Sequence, residues 1–354
     1  MIEDDGTIDI KRDEYKKAKI EREEYKEIIE KDEIPTFFPT YRITGYLYPV
    51  PIIITVIIAG FLAYLTYVIA GIQVEGGYVS ESEYGATAGL INGIIFTVLA
   101  GISAFIMIFF VKKYGINVLK VIFGGTFAFI CFFLTLFYGS IVIYLIFINL
   151  PPFENIVDLY NLISLYVLPI CIGIFTIFII YRYLFKESLK TKNFVVLYIG
   201  ILIGATMGVV MPFWTTIAIL IGISLWDIFA VKSKWGPIKE MIDIASGVKN
   251  GEKELSEEEI EEKIRRGEII YDTSKLEIGI GDLAFYSMLT SSALIQTGEL
   301  LVMTFTAIAV IIGTGITILG LKRNKILPGL PISIFLGIAT MLGSWWLIVF
   351  IKGF

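Results

Sequence analysis

The sequence predicts an all-α, polytopic membrane protein with nine transmembrane helices, its N-terminus cytoplasmic and its C-terminus outside. Three observations predict it. The 354 residues are 56% hydrophobic and only 18% charged, against about 25% charged in a soluble globular domain. The charges are segregated, most of them in residues 1–42 and 232–277. Between those segments run apolar stretches long enough to span a bilayer, which takes roughly 20 residues.

Read between charges, the spans follow in order. Residues 43–74 carry no charge, and Pro49 and Pro51 suit the first turn of a helix starting there. Residues 84–111 form the second run. Residues 121–148 form the third, stopped by Pro151 and Pro152, and 159–181 the fourth. The stretch 193–231 is too long for one crossing, and Met211-Pro212 divides it into 193–211 and 212–231. Residues 278–298, 300–321 and 326–351 complete the set. Three segments result: a charged arm at 1–42, spans one to four within 43–192, and spans five to nine within 193–351, interrupted by loop 232–277.

The loop charges orient these spans. Of the 29 basic residues, 28 fall in the arm and alternate loops, and only Lys352 falls on the other side. Loop 75–83 holds Glu75, Glu81 and Glu83 and no basic residue. Lys and Arg are retained in the cytoplasm, so an odd number of spans with the N-terminus inside follows. The expected location is therefore a cell membrane, with the lipid bilayer as surroundings.

The polar segments read as ordinary surface. Residues 9–33 alternate acid and base at helical spacing, with pairs such as Asp13–Lys17 and Glu27–Lys31. In the long loop, Ser256 with Glu259 fits a capping box, and a helix would run to Arg266 with Gly267 as its stop. Gly200, Gly204 and Gly208 recur every fourth residue and predict a close helix-packing face.

Composition also excludes chemistry. The chain has no histidine, which removes Ser-His and Cys-His catalysis and His-ligated metals. Cys131 and Cys171 lie inside apolar runs and read as small buried hydrophobes. No basic patch with interleaved aromatics suggests nucleic acid, and no signal peptide opens the chain. No cofactor or metal is expected, and the oligomeric state is open.

Two acidic residues stand out. Asp227 lies in Ser224-Leu225-Trp226-Asp227-Ile228-Phe229-Ala230, and Asp282 in Gly279-Ile280-Gly281-Asp282-Leu283-Ala284. A charge at the bilayer centre costs at least ~2.5–3.5 kcal/mol, so such a residue persists where it faces a partner or a water-filled cavity. Asp227 precedes Lys232 by five residues, and Asp282 follows Glu277 by five. At a helical rise of ~1.5 Å, both carboxyls sit roughly 7–8 Å inside the same face. On consecutive antiparallel helices such carboxyls can meet. A close pair shares one proton, so one member serves as base towards water while the other donates a hydrogen bond to a carbonyl. Gly279 and Gly281 permit close approach of another backbone. Taken alone, these features fit three readings: coupling carboxylates in a proton- or cation-coupled transporter, an aspartyl protease, or a structural helix–helix hydrogen bond.

A third element sits at similar depth. The ninth span opens with Pro328-Gly329-Leu330-Pro331. Proline lacks an N–H and disrupts the helical ladder, and exposed backbone is tolerated in a membrane only against protein or a water-lined cavity. This start is a candidate surface for an unwound peptide. A helix N-terminus with favourable prolines is the plainer alternative.

An acid after an aromatic near the end of one span, Gly-x-Gly-Asp at the start of the next, and Pro-x-Leu-Pro at the last resemble the presenilin and signal peptide peptidase family of intramembrane aspartyl proteases, most closely its archaeal presenilin homologues. The resemblance covers mainly residues 193–351. It implies Asp227 and Asp282 as the catalytic pair. It implies Pro328, Gly329, Leu330 and Pro331 as a motif shaping the active site and contacting substrate, and membrane-spanning proteins or peptides as substrates. Gly279, Ile280 and Gly281, where the missing side chains of the two glycines admit a backbone, are the further candidate substrate contacts. Two positions depart from the family pattern: Trp226 replaces the usual Tyr, and Gly329 the usual Ala. A prepilin-type peptidase also carries Gly-x-Gly-Asp, but would not call for Pro328–Pro331 on a final span. An unwound substrate edge is expected to pair with the loop strand around Glu268–Tyr271.

Overall fold

The structure, a computed structural model, describes residues 39–115, 117–152, 154–186, 188–233, 275–322 and 328–353. The helices expected over 9–33 and 256–266 and the strand around Glu268–Tyr271 lie outside the described residues. Strand β1 (Thr40–Thr44) leads through a tight turn at Gly45–Leu47 into α1 (Pro49–Tyr64), which continues in a wider π turn to Ile69. Then follow α2 (Glu81–Tyr114), α3 (Val118–Ile148), α4 (Ile156–Phe185, with a π segment at Ile163–Val167), α5 (Leu189–Val210) and α6 (Phe213–Lys232). Strand β2 (Lys275–Gly279) runs directly into α7 (Ile280–Thr297), and α8 (Leu300–Lys322) and α9 (Leu330–Lys352) complete the described chain. The expected punctuation acts as it should: Pro49 opens α1, α3 ends before Pro151, and Met211-Pro212 separates α5 from α6.

Eight of these helices are long and apolar enough to cross a membrane. The exception, α7, has 18 residues and includes Ser287, Thr290, Ser291 and Ser292, all buried. It is enclosed by α5, α1, α8, α6 and α9 rather than by lipid. A helix wrapped in protein need not be apolar, because its neighbours exclude the lipid. Its length of ~27 Å at the helical rise still approaches a bilayer core of about 30 Å. By contrast, α2, α3 and α4 expose large apolar side chains such as Phe109, Phe129 and Ile177, the outward surface expected towards acyl chains.

The glycine repeat explains how α5 approaches α7. A Cβ placed on Gly204 would lie 2.4 Å from the Ser287 Cβ and 2.8 Å from the Ala284 carbonyl oxygen. One placed on Gly208 would lie 2.5 Å from the Ser291 Cβ. Gly200 has 3.4 Å of room to Leu283. Small residues thus let two backbones pack where neither side offers apolar area to gain. Gly204→Val is expected to cost at least about 1–3 kcal/mol through overpacking. A fall in thermal midpoint in detergent measures it, with Gly200→Ala falling less.

At the opposite end from β1 and β2, carboxylates organise two helix starts. Glu75 accepts from the N–H groups of Ser82 and Glu81, which hold its carboxyl below the usual range. Glu81 in turn caps α6, accepting from the Trp214 N–H at 2.9 Å, the Thr215 N–H at 2.9 Å and the Thr215 hydroxyl at 3.0 Å. The first N–H groups of a helix lack intrahelical partners, so an acid from α2 fixes where α6 begins. Glu81→Ala is expected to lower stability by about 1 kcal/mol, the usual effect of a lost cap. Thermal unfolding followed by helical ellipticity checks it.

Two sequence expectations change. Residues 43–44 and 278–279 belong to strands, not to the first and seventh helices. Thr-Tyr-Arg-Ile-Thr and Lys-Leu-Glu-Ile-Gly both alternate polar and apolar residues, the period that suits a ribbon with one covered face. They pair antiparallel, with Thr40 opposite Gly279 and Arg42 opposite Glu277. Cysteine burial is the second. Cys131 is buried and its sulfur accepts from the Thr176 hydroxyl at 3.6 Å, while Cys171 is exposed on the outer face of α4.

Candidate functional site

Helices α6, α7 and α9 pack against one another, and each delivers one of the singled-out segments to the same place. Asp227 lies five residues before the end of α6. Its Oδ2 accepts the Leu330 N–H at 3.2 Å, and the Gly329 N–H also donates to the carboxylate. These donors are free for a local reason. Leu330 and Pro331 are the first two residues of α9 and Gly329 is its cap. A helix leaves its first N–H groups unpaired and carries partial positive charge there, which favours a carboxylate. Pro331 has no N–H to leave unsatisfied. The Pro-Gly-Leu-Pro segment is therefore a helix start, and a start aimed at Asp227. Pro328, Leu330 and Pro331 are buried and Gly329 is partly so.

Asp282 reaches the site differently from the sequence expectation. Because residues 275–279 are extended, it stands at the third position of α7, in the first turn rather than well inside a span. Its carboxylate accepts the N–H of Gly279, the cap of the same helix. That is the returning half of a capping box. The two carboxylates lie within electrostatic reach of each other. Gly329 sits against both: its N–H faces Asp227, and a Cβ built on it would stand 3.4 Å from Asp282 Oδ2.

The ribbon completes the geometry. The Ile280 N–H donates to the Pro39 carbonyl at 3.0 Å. In an antiparallel pair, directly bonded residues alternate with outward-facing ones. Ile278 and Leu276 therefore point their backbone groups at β1, while Gly279 and Glu277 point theirs to the other edge. The bond from Gly279 to Asp282 follows from this register, since it lies on that outer edge. Among the described residues no strand occupies it. Among the described residues, the Phe285 ring is what lies near the open Cβ position of Gly281, at 3.8 Å. Ile280 turns its N–H towards β1 and packs its side chain against two hydrophobic clusters.

Several residues at the site gave no signal in the sequence. Tyr286, one turn after Asp282 and on the same face, donates its buried hydroxyl to Ser333 Oγ at 3.2 Å. Ser333 also meets the Thr314 hydroxyl at 3.1 Å, so α7, α9 and α8 are tied beneath the carboxylates. Trp226 turns away from the site: its ring packs on Gly101 and lies edge-on to Phe105 of α2. There α2 and α6 flank an apolar groove of about 710 Å³, lined by Gly93, Thr97, Gly222, Leu225, Trp226 and Phe229 among others.

The sequence matches the pattern of the Presenilin family over residues 48–250 and 247–350. It is 35% identical to Presenilin-B of Dictyostelium discoideum over 134 residues, 36% of this chain and 25% of that protein. It is 24% identical to a presenilin-like protein of Arabidopsis thaliana over 326 residues, covering 73% of this chain and 78% of that protein. The chain thus spans about a quarter of Presenilin-B and most of the plant relative.

Proposed function

The chain belongs to the presenilin family, a family of intramembrane proteases, and we propose that it is an aspartyl endopeptidase that cuts membrane-spanning substrates with Asp227 and Asp282. One observation carries the reading. Two carboxylates from different helices converge on Gly329, at the N-terminus of a third.

The chemistry needs nothing beyond these residues and water. The charged carboxylate takes a proton from a water molecule as its oxygen attacks the peptide carbonyl carbon. The protonated carboxyl donates a hydrogen bond to the carbonyl oxygen, where charge develops. Collapse of the tetrahedral intermediate breaks the C–N bond. The proton passes to the leaving amine, yielding one new carboxyl and one new amino terminus. No metal, histidine or cofactor takes part.

A helical substrate hides its peptide bonds, so it must be extended to react. The outer edge of β2 offers backbone groups to an extended peptide, the usual means of adding a strand to a sheet. That edge leads to Asp282 through Gly279. With the N-terminus cytoplasmic, water reaches the carboxylates from the cytoplasmic side, and the apolar groove between α2 and α6 accommodates the helical remainder of the substrate within the bilayer.

The test is incubation of the purified chain in detergent with a single-span peptide substrate, with and without a hydroxyl-bearing aspartyl transition-state analogue. Two fragments that appear without the analogue and vanish with it are the expected result. No cleavage, with cation-coupled flux in proteoliposomes, is the outcome that replaces this reading with a transporter.

A further inference from the structure

The ribbon beside Asp282 has two long edges, and they are finished differently. In the register set by the Ile280–Pro39 bond, Arg42 faces its backbone away from β2. Both of its backbone groups are taken by one side chain of α5. The Arg42 N–H donates to Asn193 Oδ1 at 2.9 Å, and Asn193 Nδ2 donates to the Arg42 carbonyl at 2.8 Å. A side-chain amide carries one acceptor and donors in the same relation as a strand residue. Asn193 therefore occupies the place the next strand would take. An exposed strand edge is a template for pairing with other chains, and this one is closed at its centre.

The same residue pair reaches β2. Arg42 stands directly opposite Glu277 and pairs with it at 2.8 Å through Nε, and Thr40 donates its hydroxyl to Glu277 at 2.8 Å. Asn193 holds Arg42, Arg42 and Thr40 hold Glu277, and Glu277 lies two residues before Gly279, whose N–H meets Asp282. Slippage of β1 would move β2 with it, and β2 is continuous with the first turn of α7.

We propose that Asn193 is a positioning residue of the protease: by closing the outer edge of β1 and fixing its register, it directs an extended substrate to the β2 edge and sets which peptide bond lies at Asp227 and Asp282. This rests on the protease reading above. Asn193 touches neither the carboxylates nor the peptide. It acts through Arg42 and the ribbon.

The experiment compares the full-length protein with its Asn193→Ala and Asn193→Asp variants on one single-span substrate in detergent, identifying every product by mass. Strand slips that keep the same side chains facing the sheet come in steps of about two residues, so Asn193→Ala should lower the share of product at the principal bond by about 3-fold and raise cuts about two residues away. Asn193→Asp keeps the acceptor for the Arg42 N–H and loses the donor, and should fall between. Amide hydrogen exchange over residues 40–44 and 275–279 should quicken in Asn193→Ala. A proportional fall of all products with the cut site unchanged, or unchanged exchange in the ribbon, overturns the proposal. Failure of the unaltered protein to cut any peptide counts against the protease reading, and the exchange comparison then decides the edge closure by itself.

Discussion

Replacing either Asp227 or Asp282 with asparagine is expected to lower peptide cleavage by about 10³-fold or more, the scale of losing a positioned acid or base. Asparagine is the informative choice. At position 227 its carbonyl oxygen can still accept the Leu330 N–H, and at position 282 it can still accept the Gly279 N–H. The local frame is kept while the ability to take or give the proton is lost. Alanine at position 227 should abolish activity too, but it leaves the N–H groups of Gly329 and Leu330 without their acceptor, which mixes a structural penalty into the result. The double variant should be no worse than either single one, because two groups that act as a unit are strongly non-additive. The check is fragment yield against an internal peptide standard, with an unchanged gel-filtration profile showing that the fold survives. Full activity in either asparagine variant would remove the pair from the mechanism. A non-catalytic scaffold would tolerate both substitutions.

Much of this site can be read from the residues, for identifiable reasons. A charge within an apolar run is rare because it is costly, so Asp227 and Asp282 announce themselves. Pro328 and Pro331 mark a helix start because proline's fixed φ and missing N–H suit the first turn. The three segments stand at span boundaries that hydropathy and charge already locate. The ribbon is hidden by the same method. Thr40–Thr44 and Lys275–Gly279 are five residues each and border long apolar runs, so a helix-length window absorbs their inner ends. Their pairing joins positions more than two hundred residues apart, beyond any local pattern. Asn193 and Tyr286 are invisible for a related cause. One polar residue near a helix start and one Tyr in a span are unremarkable until their partners, Arg42 and Ser333, are placed. A helical depth for Asp282 counted from Glu277 holds only for a helix that is continuous from there. The extended approach through β2 replaces it with a first-turn position, and that position gives the carboxylate the Gly279 N–H.

Gly329 is the position where the smallest change should have the next largest effect. Its N–H serves Asp227 while its open Cβ direction points at Asp282 Oδ2, 3.4 Å away. That distance is ordinary van der Waals contact, so a single methyl fits, in keeping with the alanine usual to the resembled family at this place. A branched side chain does not fit in the same way. Gly329→Val puts two further methyl groups on the carbon that faces Asp282, in the space that the proposed mechanism gives to the attacking water and the scissile carbonyl. Displacing reacting groups by about 1 Å can cost roughly 100-fold in rate, and that is the expected loss for Gly329→Val, with Gly329→Ala losing far less. The backbone itself does not demand glycine, because φ here is −71° and ψ −42°, a conformation any residue adopts. The contrast between the two variants therefore reports the space between the carboxylates and not the strain of the helix start. Initial rates of fragment release, with thermal midpoints for both variants, decide it. Equal rates for alanine and valine would mean that the reacting peptide does not pass against Gly329, and the substrate would then have to lie on the far side of Asp282.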